Sequence, residues 1–244
     1  LFSQPDTHLG NYWIPTDGTV EYDNGGVHTN SGVMNYWFYL LCEGGSGVND
    51  DDFQYNVNPI GISDAEQIAY RNLTAYLVPS SDYFDAAVFS LQATSDLFGS
   101  GSDQAASVSD AWEAVGVYMT PRIMVPDEEI FRAYLGRTVT RSIELSNRSV
   151  VPVEISNLTV EGDGFELIAP LSLPVSFNEN YKVSVSFTAS AESLAEGSLH
   201  VFTNDPVNPE AIVLLSGQGL EANALADRSA LTTGIRDPYP NPLI

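Results

Sequence analysis

The sequence predicts a multidomain chain in which an all-α helical lobe is followed by an antiparallel β-sandwich. Three observations lead there. At 244 residues the chain is long enough for two cores. Up to about residue 117 its apolar residues recur at helical spacing, and from Ile130 onward the period falls to two. Between these regions, MTPRIMVPDEE carries two prolines and a shift in charge, which marks a linker over 119–129. The expected divisions are therefore a lobe over 1–118, the linker, a sandwich over 130–220 and a tail over 221–244.

Within the lobe, residues 1–22 mix Pro, Gly, Asp and aromatics without periodicity and read as an irregular segment. His8 in this segment is expected to be a solvent-exposed loop histidine. From Ser31 to Leu41 the run SGVMNYWFYLL is apolar nearly all round, as in a helix buried on most faces. Gly44, Gly45 and Gly47 end it and lead into a loop holding Asp50, Asp51 and Asp52. That triplet lacks the alternating ligands and closing glutamate of a calcium loop, and a solvated acidic loop is the favoured reading. Ser63 and Glu66 have capping-box spacing, with Ala65, Ile68, Ala69, Leu73, Tyr76 and Leu77 on one helical face. A second amphipathic helix carries Phe84, Ala87, Val88 and Leu91 as far as Gly99, and a third follows Ser102 with Ala105, Val108, Trp112 and Val115 facing inward.

Beyond Ile130, TVTRSIELSN, VPVEISNLTV, FELIA, KVSVSFTA, GSLHVFTND and AIVLLSGQG are short, β-branched runs divided by Gly, Asn, Pro and Asp turns. Six or seven strands in this span predict an antiparallel sandwich. His200, between Leu199 and Val201 in a strand, is read as a structural or surface histidine.

Acidic residues outnumber Lys plus Arg by 32 to 9, a formal charge of −23. Such a charge repels phosphate backbones and anionic lipid, so nucleic acid and membrane surfaces are excluded as partners. The excess is greatest in residues 1–120, where Arg71 is the only base. The single cysteine, Cys42, excludes an internal disulfide, and its apolar neighbours favour a buried thiol. No apolar run approaches the roughly 20 residues of a membrane helix.

The candidate site is DNGGVHTNSGV, from Asp23 to Val33. Gly25 and Gly26 allow a sharp turn that returns Asp23 to the ring of His28. A carboxylate on one ring nitrogen fixes the tautomer and leaves the other nitrogen to face a substrate. A hydrogen-bonded pair that merely closes a loop would have the same spacing. The longer string DNGGVHTNSGVMN resembles the segment of thermolysin-like zinc metallopeptidases that reads D-N-G-G-V-H-x-N-S-G-[IV]-x-N. AYRNLTAYLVPSSDYFDAAVFSLQATSDLFG and ASVSDAWEAVGV are similar to that family's closing helices, so the resemblance covers about residues 1–117. It implies that His28 donates to the oxyanion of the tetrahedral intermediate and that Asp23 holds His28 in place.

The family's H-E-x-x-H motif is absent: none of the three histidines, His8, His28 and His200, is followed by Glu. The resemblance therefore implies Zn²⁺ ligands and a general base upstream of Leu1, in a longer polypeptide of which this segment alone would be inactive. It also implies a protein or peptide substrate, an extracellular location and Ca²⁺ as a second cation, although no complete calcium site is legible. Downstream, SLHVFTNDPVNPEAIVLLSGQG resembles immunoglobulin-like modules of bacterial surface and secreted proteins. Tyr239, Pro240, Asn241 and Pro242 resemble the opening of a type IX secretion sorting domain, which implies the secretion machinery as a partner. The competing expectation is a non-catalytic surface adhesion or binding protein with a degenerate peptidase lobe.

Overall fold

The computed structural model describes residues 3–16, 18, 22–168 and 173–221. The proposed sorting motif at 239–242 lies outside the described residues. The chain divides into two compact units, one of Leu1–Ile123 with Asn147–Val153 and Asp205–Val207, the other of Met124–Ser146, Glu154–Asn204 and Asn208–Ile244.

The first unit opens on irregular chain and a single tight turn, α1 (Asp23–Gly26). Helix α2 (Gly32–Glu43) buries Val33, Trp37, Leu40 and Leu41 and ends at Gly44. The segment expected to be a plain loop instead forms a hairpin, β1 (Gly45–Val48) against β2 (Gln54–Val57), so the lobe is not wholly helical. Its strands are short and mostly exposed, which leaves no polarity alternation to read.

Helix α3 (Ile62–Arg71) begins one residue before Ser63, behind Gly61 and with no side-chain cap, so Ser63 and Glu66 do not form the expected box. That device occurs at α4 (Tyr83–Phe98) instead, where Asp82 and Asp85 cap each other's backbone N–H groups. After α3 the chain passes into a π-turn, Asn72–Tyr76. The wider i→i+5 turn rotates later side chains off the α-helical stripe. It buries Asn72 and leaves Leu73, expected inside, 65% exposed. Ser102 caps α5 (Asp103–Ala114), whose Trp112 meets Trp37 with ring centroids 4.9 Å apart and donates from Nε1 to Ser90 Oγ at 2.8 Å. These two indoles, with Leu40, Leu41, Ile68 and Val108, form the centre of the unit's core.

Among the described residues the second unit is β-rich, with two sheets. One has the order β4 (Glu128–Tyr134), β11 (Glu210–Leu220), β10 (Leu194–Thr203), β6 (Val153–Glu161), β8 (Val175–Phe177). The other runs β3 (Ile123–Met124), β5 (Thr138–Asn147), β9 (Asn180–Thr188), β7 (Phe165–Leu167). Buried residues alternate along the strands, as in β11, where Ala211, Val213 and Leu215 face in. Phe131 of the first sheet lies 5.5 Å from Phe165 and 6.2 Å from Phe187 of the second, so the sheets share one core, as in a sandwich. One pairing departs from the expected antiparallel pattern: β4 runs parallel to β11, with Glu128 beside Leu214 and Tyr134 beside Leu220.

Candidate functional site

The turn that carries the site winds left-handed. Asp23, Asn24, Gly25 and Gly26 all have positive φ, at 56°, 48°, 77° and 84°. L-residues resist this conformation by roughly 1–2 kcal/mol each, whereas glycine adopts it freely and Asn and Asp tolerate it. DNGG is therefore a sequence suited to such a turn. A Cβ at Gly26 would also meet the side chains of Asn30 and Ile14 at 2.6–2.8 Å, so the turn is packed as well as wound.

The winding brings Asp23 onto the next residues of its own chain. Its Oδ1 lies 2.6 Å from His28 Nδ1. Its Oδ2 accepts from the backbone N–H of His28 at 3.1 Å, from that of Thr29 at 2.7 Å and from Thr29 Oγ1 at 2.8 Å. The His28 hydrogen bond above all, with burial opposing and the Thr29 and backbone donors assisting, holds the Asp23 carboxyl down at about 2. A carboxylate so ionised can only accept, which requires the hydrogen on His28 Nδ1. The carboxylate side chain is 11% exposed and the imidazole 83% exposed, so Nε2 belongs to the open face.

Further bonds fix the backbone beneath the ring. Gln4 Nε2 donates to the His28 carbonyl at 3.0 Å, as does Ser31 Oγ at 2.6 Å. The Asn30 amide clasps Ile14 from both sides, accepting from its N–H and donating to its carbonyl, each at 2.9 Å. Tyr83 Oη donates to the Asn30 carbonyl at 2.8 Å. Sequence reasoning missed Thr29, Asn30 and Tyr83. The string HTN held a signal for the first two, since short polar side chains after a turn bond readily to nearby backbone.

His8 is not exposed, as the sequence suggested, but 7% accessible and packed among Trp13, Tyr83 and Phe84 at centroid distances of 4.9–5.4 Å. Burial first, then the charge of Arg148, lower its pKa to about 4 against a small opposing pull from Asp82, so the ring is neutral at pH 7. These aromatics, with Gly25, Gly26, Val27, Asn30 and Ser31, line a cavity of about 410 Å³ adjoining the turn.

In the acidic triplet Asp50 and Asp52 are exposed, as expected of a solvated loop, and the Asp51 side chain is not. Asp50 accepts twice from Asn11, at 2.6 and 2.8 Å. Asp51, its side chain 4% exposed, pairs with Arg148, 9% exposed, at 3.2 Å and accepts from Tyr118 Oη at 3.0 Å. Among the described residues no group of three His, Cys, Asp or Glu side chains could hold a metal ion. Cys42 is half-buried, and burial with the nearby Glu43 raises its thiol pKa.

The profile of the thermolysin metallopeptidase alpha-helical domain matches residues 2–117. The thermostable neutral protease NprT of Geobacillus stearothermophilus is 40% identical over 117 residues, covering 48% of this chain and 19% of that protein. Neutral protease B of Bacillus subtilis (strain 168) is 43% identical over 115 residues, 46% of this chain and 19% of that protein. The chain thus spans about a fifth of the length of these relatives. Of solved structures, the ASH/PapD-like domain of human CEP192 aligns at 16% identity over 42% of this chain and 88% of that chain, with a TM-score of 0.30, too slight a likeness to carry an argument. Residues 2–117 are accordingly a thermolysin-like peptidase C-terminal helical domain.

Proposed function

We propose that the full protein is a secreted zinc metalloendopeptidase and that this chain supplies the histidine that stabilises the oxyanion, with the aspartate that orients it. The observation carrying this reading is the His28 Nδ1 to Asp23 Oδ1 contact of 2.6 Å, made with the carboxylate sheltered and the ring bare. Zinc would polarise the scissile carbonyl and activate water. The described residues do not fit that ion, so its ligands and the general base are not among them.

The residues that are present have a defined task. With Nδ1–H given to Asp23, His28 can donate to an oxyanion only if Nε2 also bears a hydrogen, so the working form is the imidazolium. Asp23 balances that charge and fixes the plane of the ring, which leaves little reorganisation for the moment of reaction. Removing one such donor typically costs about 3–4 kcal/mol in the transition state. His28→Ala in the full-length protein is therefore expected to lower peptide hydrolysis at least about 100-fold with zinc content unchanged. Undiminished turnover in that variant would overturn the assignment. Asp23→Asn is expected to lower the rate while leaving zinc content intact, because it reaches the chemistry only through His28.

A further inference from the structure

The second unit contains another histidine relay, built on a strand. A period of two places Ser198 and His200 on the same face of β10. In the antiparallel register His200 lies opposite Ile212 and Phe202 opposite Glu210, so Glu210 stands diagonal to His200 and within reach of its ring. The contacts are close: Ser198 Oγ is 2.9 Å from His200 Nε2, and His200 Nδ1 is 2.8 Å from Glu210 Oε1. An ionised Glu210 can only accept, which puts the hydrogen on Nδ1 and leaves Nε2 of the neutral ring as a lone pair facing the Ser198 hydroxyl. A nucleophile within hydrogen-bond reach of a base that a third group orients is the arrangement that activates serine.

The neighbours suggest what could approach. Leu214 is directly opposite Ser198 and Ile212 opposite His200 on β11, both exposed. On β6, Glu161 is opposite Ser198 and Thr159 opposite His200. The aliphatic pair offers a ledge to an aryl or short acyl group, and Glu161 repels anions.

We propose that Ser198 is an acyl-accepting nucleophile, activated by His200 and oriented through Glu210, whose substrates are small uncharged aryl esters. In the step, Ser198 Oγ bonds to the ester carbonyl carbon and its proton passes to His200 Nε2. The carbon–aryloxide bond then breaks, and the aryloxide either takes that proton from His200 Nε2 or leaves as the anion while His200 releases the proton to solvent. Water attacks the acyl-serine in turn, giving its proton to Nε2, and the carboxylic acid departs as the hydroxyl re-forms. None of the three residues lies within 2–117, so the proposal stands apart from the peptidase reading.

The test exposes the full 244-residue chain to p-nitrophenyl acetate, following p-nitrophenolate release and locating acetyl groups by peptide mass mapping. The expected result is acetylation at Ser198 well ahead of every other serine and absent in Ser198→Ala. His200→Gln should slow it at least about 100-fold, the usual contribution of a positioned base. Glu210→Gln should slow it at least about 10-fold through loss of orientation. Glu210 is 45% exposed, so this variant keeps its sheet even if His200 variants do not. Acetylation spread evenly over surface serines, or Ser198 acetylated at the original rate in either folded variant, overturns the proposal and leaves a cross-strand hydrogen-bond cluster.

Discussion

The two units hold their histidines by opposite means. In the helical unit, Asp23 is sheltered and His28 bare, on a turn whose four residues all have positive φ. In the β-rich unit the imidazole of His200 is 18% exposed and its carboxylate partner faces water, on a regular ladder. The first arrangement depends on buried polar groups and a costly backbone; the second rests on an apolar core that would form with other residues at those surface positions. The comparison teaches that the helical unit should be the fragile one, sensitive to single charges and to acid. Trp13, Trp37 and Trp112 all lie in it, so indole fluorescence follows its unfolding separately.

The largest effect should come from Arg148→Ala. It leaves Asp51 buried without its counter-charge, and breaking such a pair costs about 3–5 kcal/mol. Denaturant midpoints read by indole fluorescence test this, and a loss below about 1 kcal/mol would break the contrast. Acid comes next. His8 has a folded pKa of about 4, below its ordinary 6.5, so the unfolded chain binds the extra proton first. Stability is then full above about pH 6.5, falls by about 3 kcal/mol on the way to pH 4 and is level below, as far as this group is concerned. His8→Phe should flatten that slope whatever its offset at neutral pH. Asp23, depressed to about 2, gives a second window with the usual carboxylate sign: its stabilisation is present above about pH 4 and lost as pH falls through about 2.

A smaller effect is expected at Gly25, where a Cβ would make only ordinary contacts, with Thr16 Cα at 3.7 Å and Pro15 O at 4.0 Å, but φ is +77°. Gly25→Ala should cost about 1–2 kcal/mol, measured by the same melts. Gly26→Ala should cost more because of the contacts with Asn30 and Ile14. Smallest is Lys182→Ala in the β-rich unit, where the ion pair with Glu144 is exposed on both sides and should contribute under about 0.5 kcal/mol by circular dichroism.

What could be read in advance follows the same division. A sharp turn was legible because Gly25 and Gly26 admit conformations closed to other residues, but the left-handed winding of Asp23 and Asn24 was not; the change of period near Ile130 announced the strands. The hairpin over Gly45–Val57 was hidden by its short, exposed strands. Leu73 was misplaced because a π-turn depends on packing that no local pattern encodes. The burial of His8 is made by Tyr83 and Phe84, and that of Asp51 by Arg148, all remote in sequence. Ser198 and His200 are two apart in plain view, yet Glu210 joins them only through a register that sequence does not number.

The parallel pairing of β4 with β11 governs how the β-rich unit must assemble. Strand β4 is completed by β11, the last of the described strands, Glu128 waiting for Leu214 and Tyr134 for Leu220. Such distant closure is slow, and until it occurs both strands carry unpaired edges. A chain emerging N-terminus first therefore cannot finish this sheet early: it stays open to wrong partners until β11 arrives, and truncation within β11 would take from β4 its neighbour among the described strands.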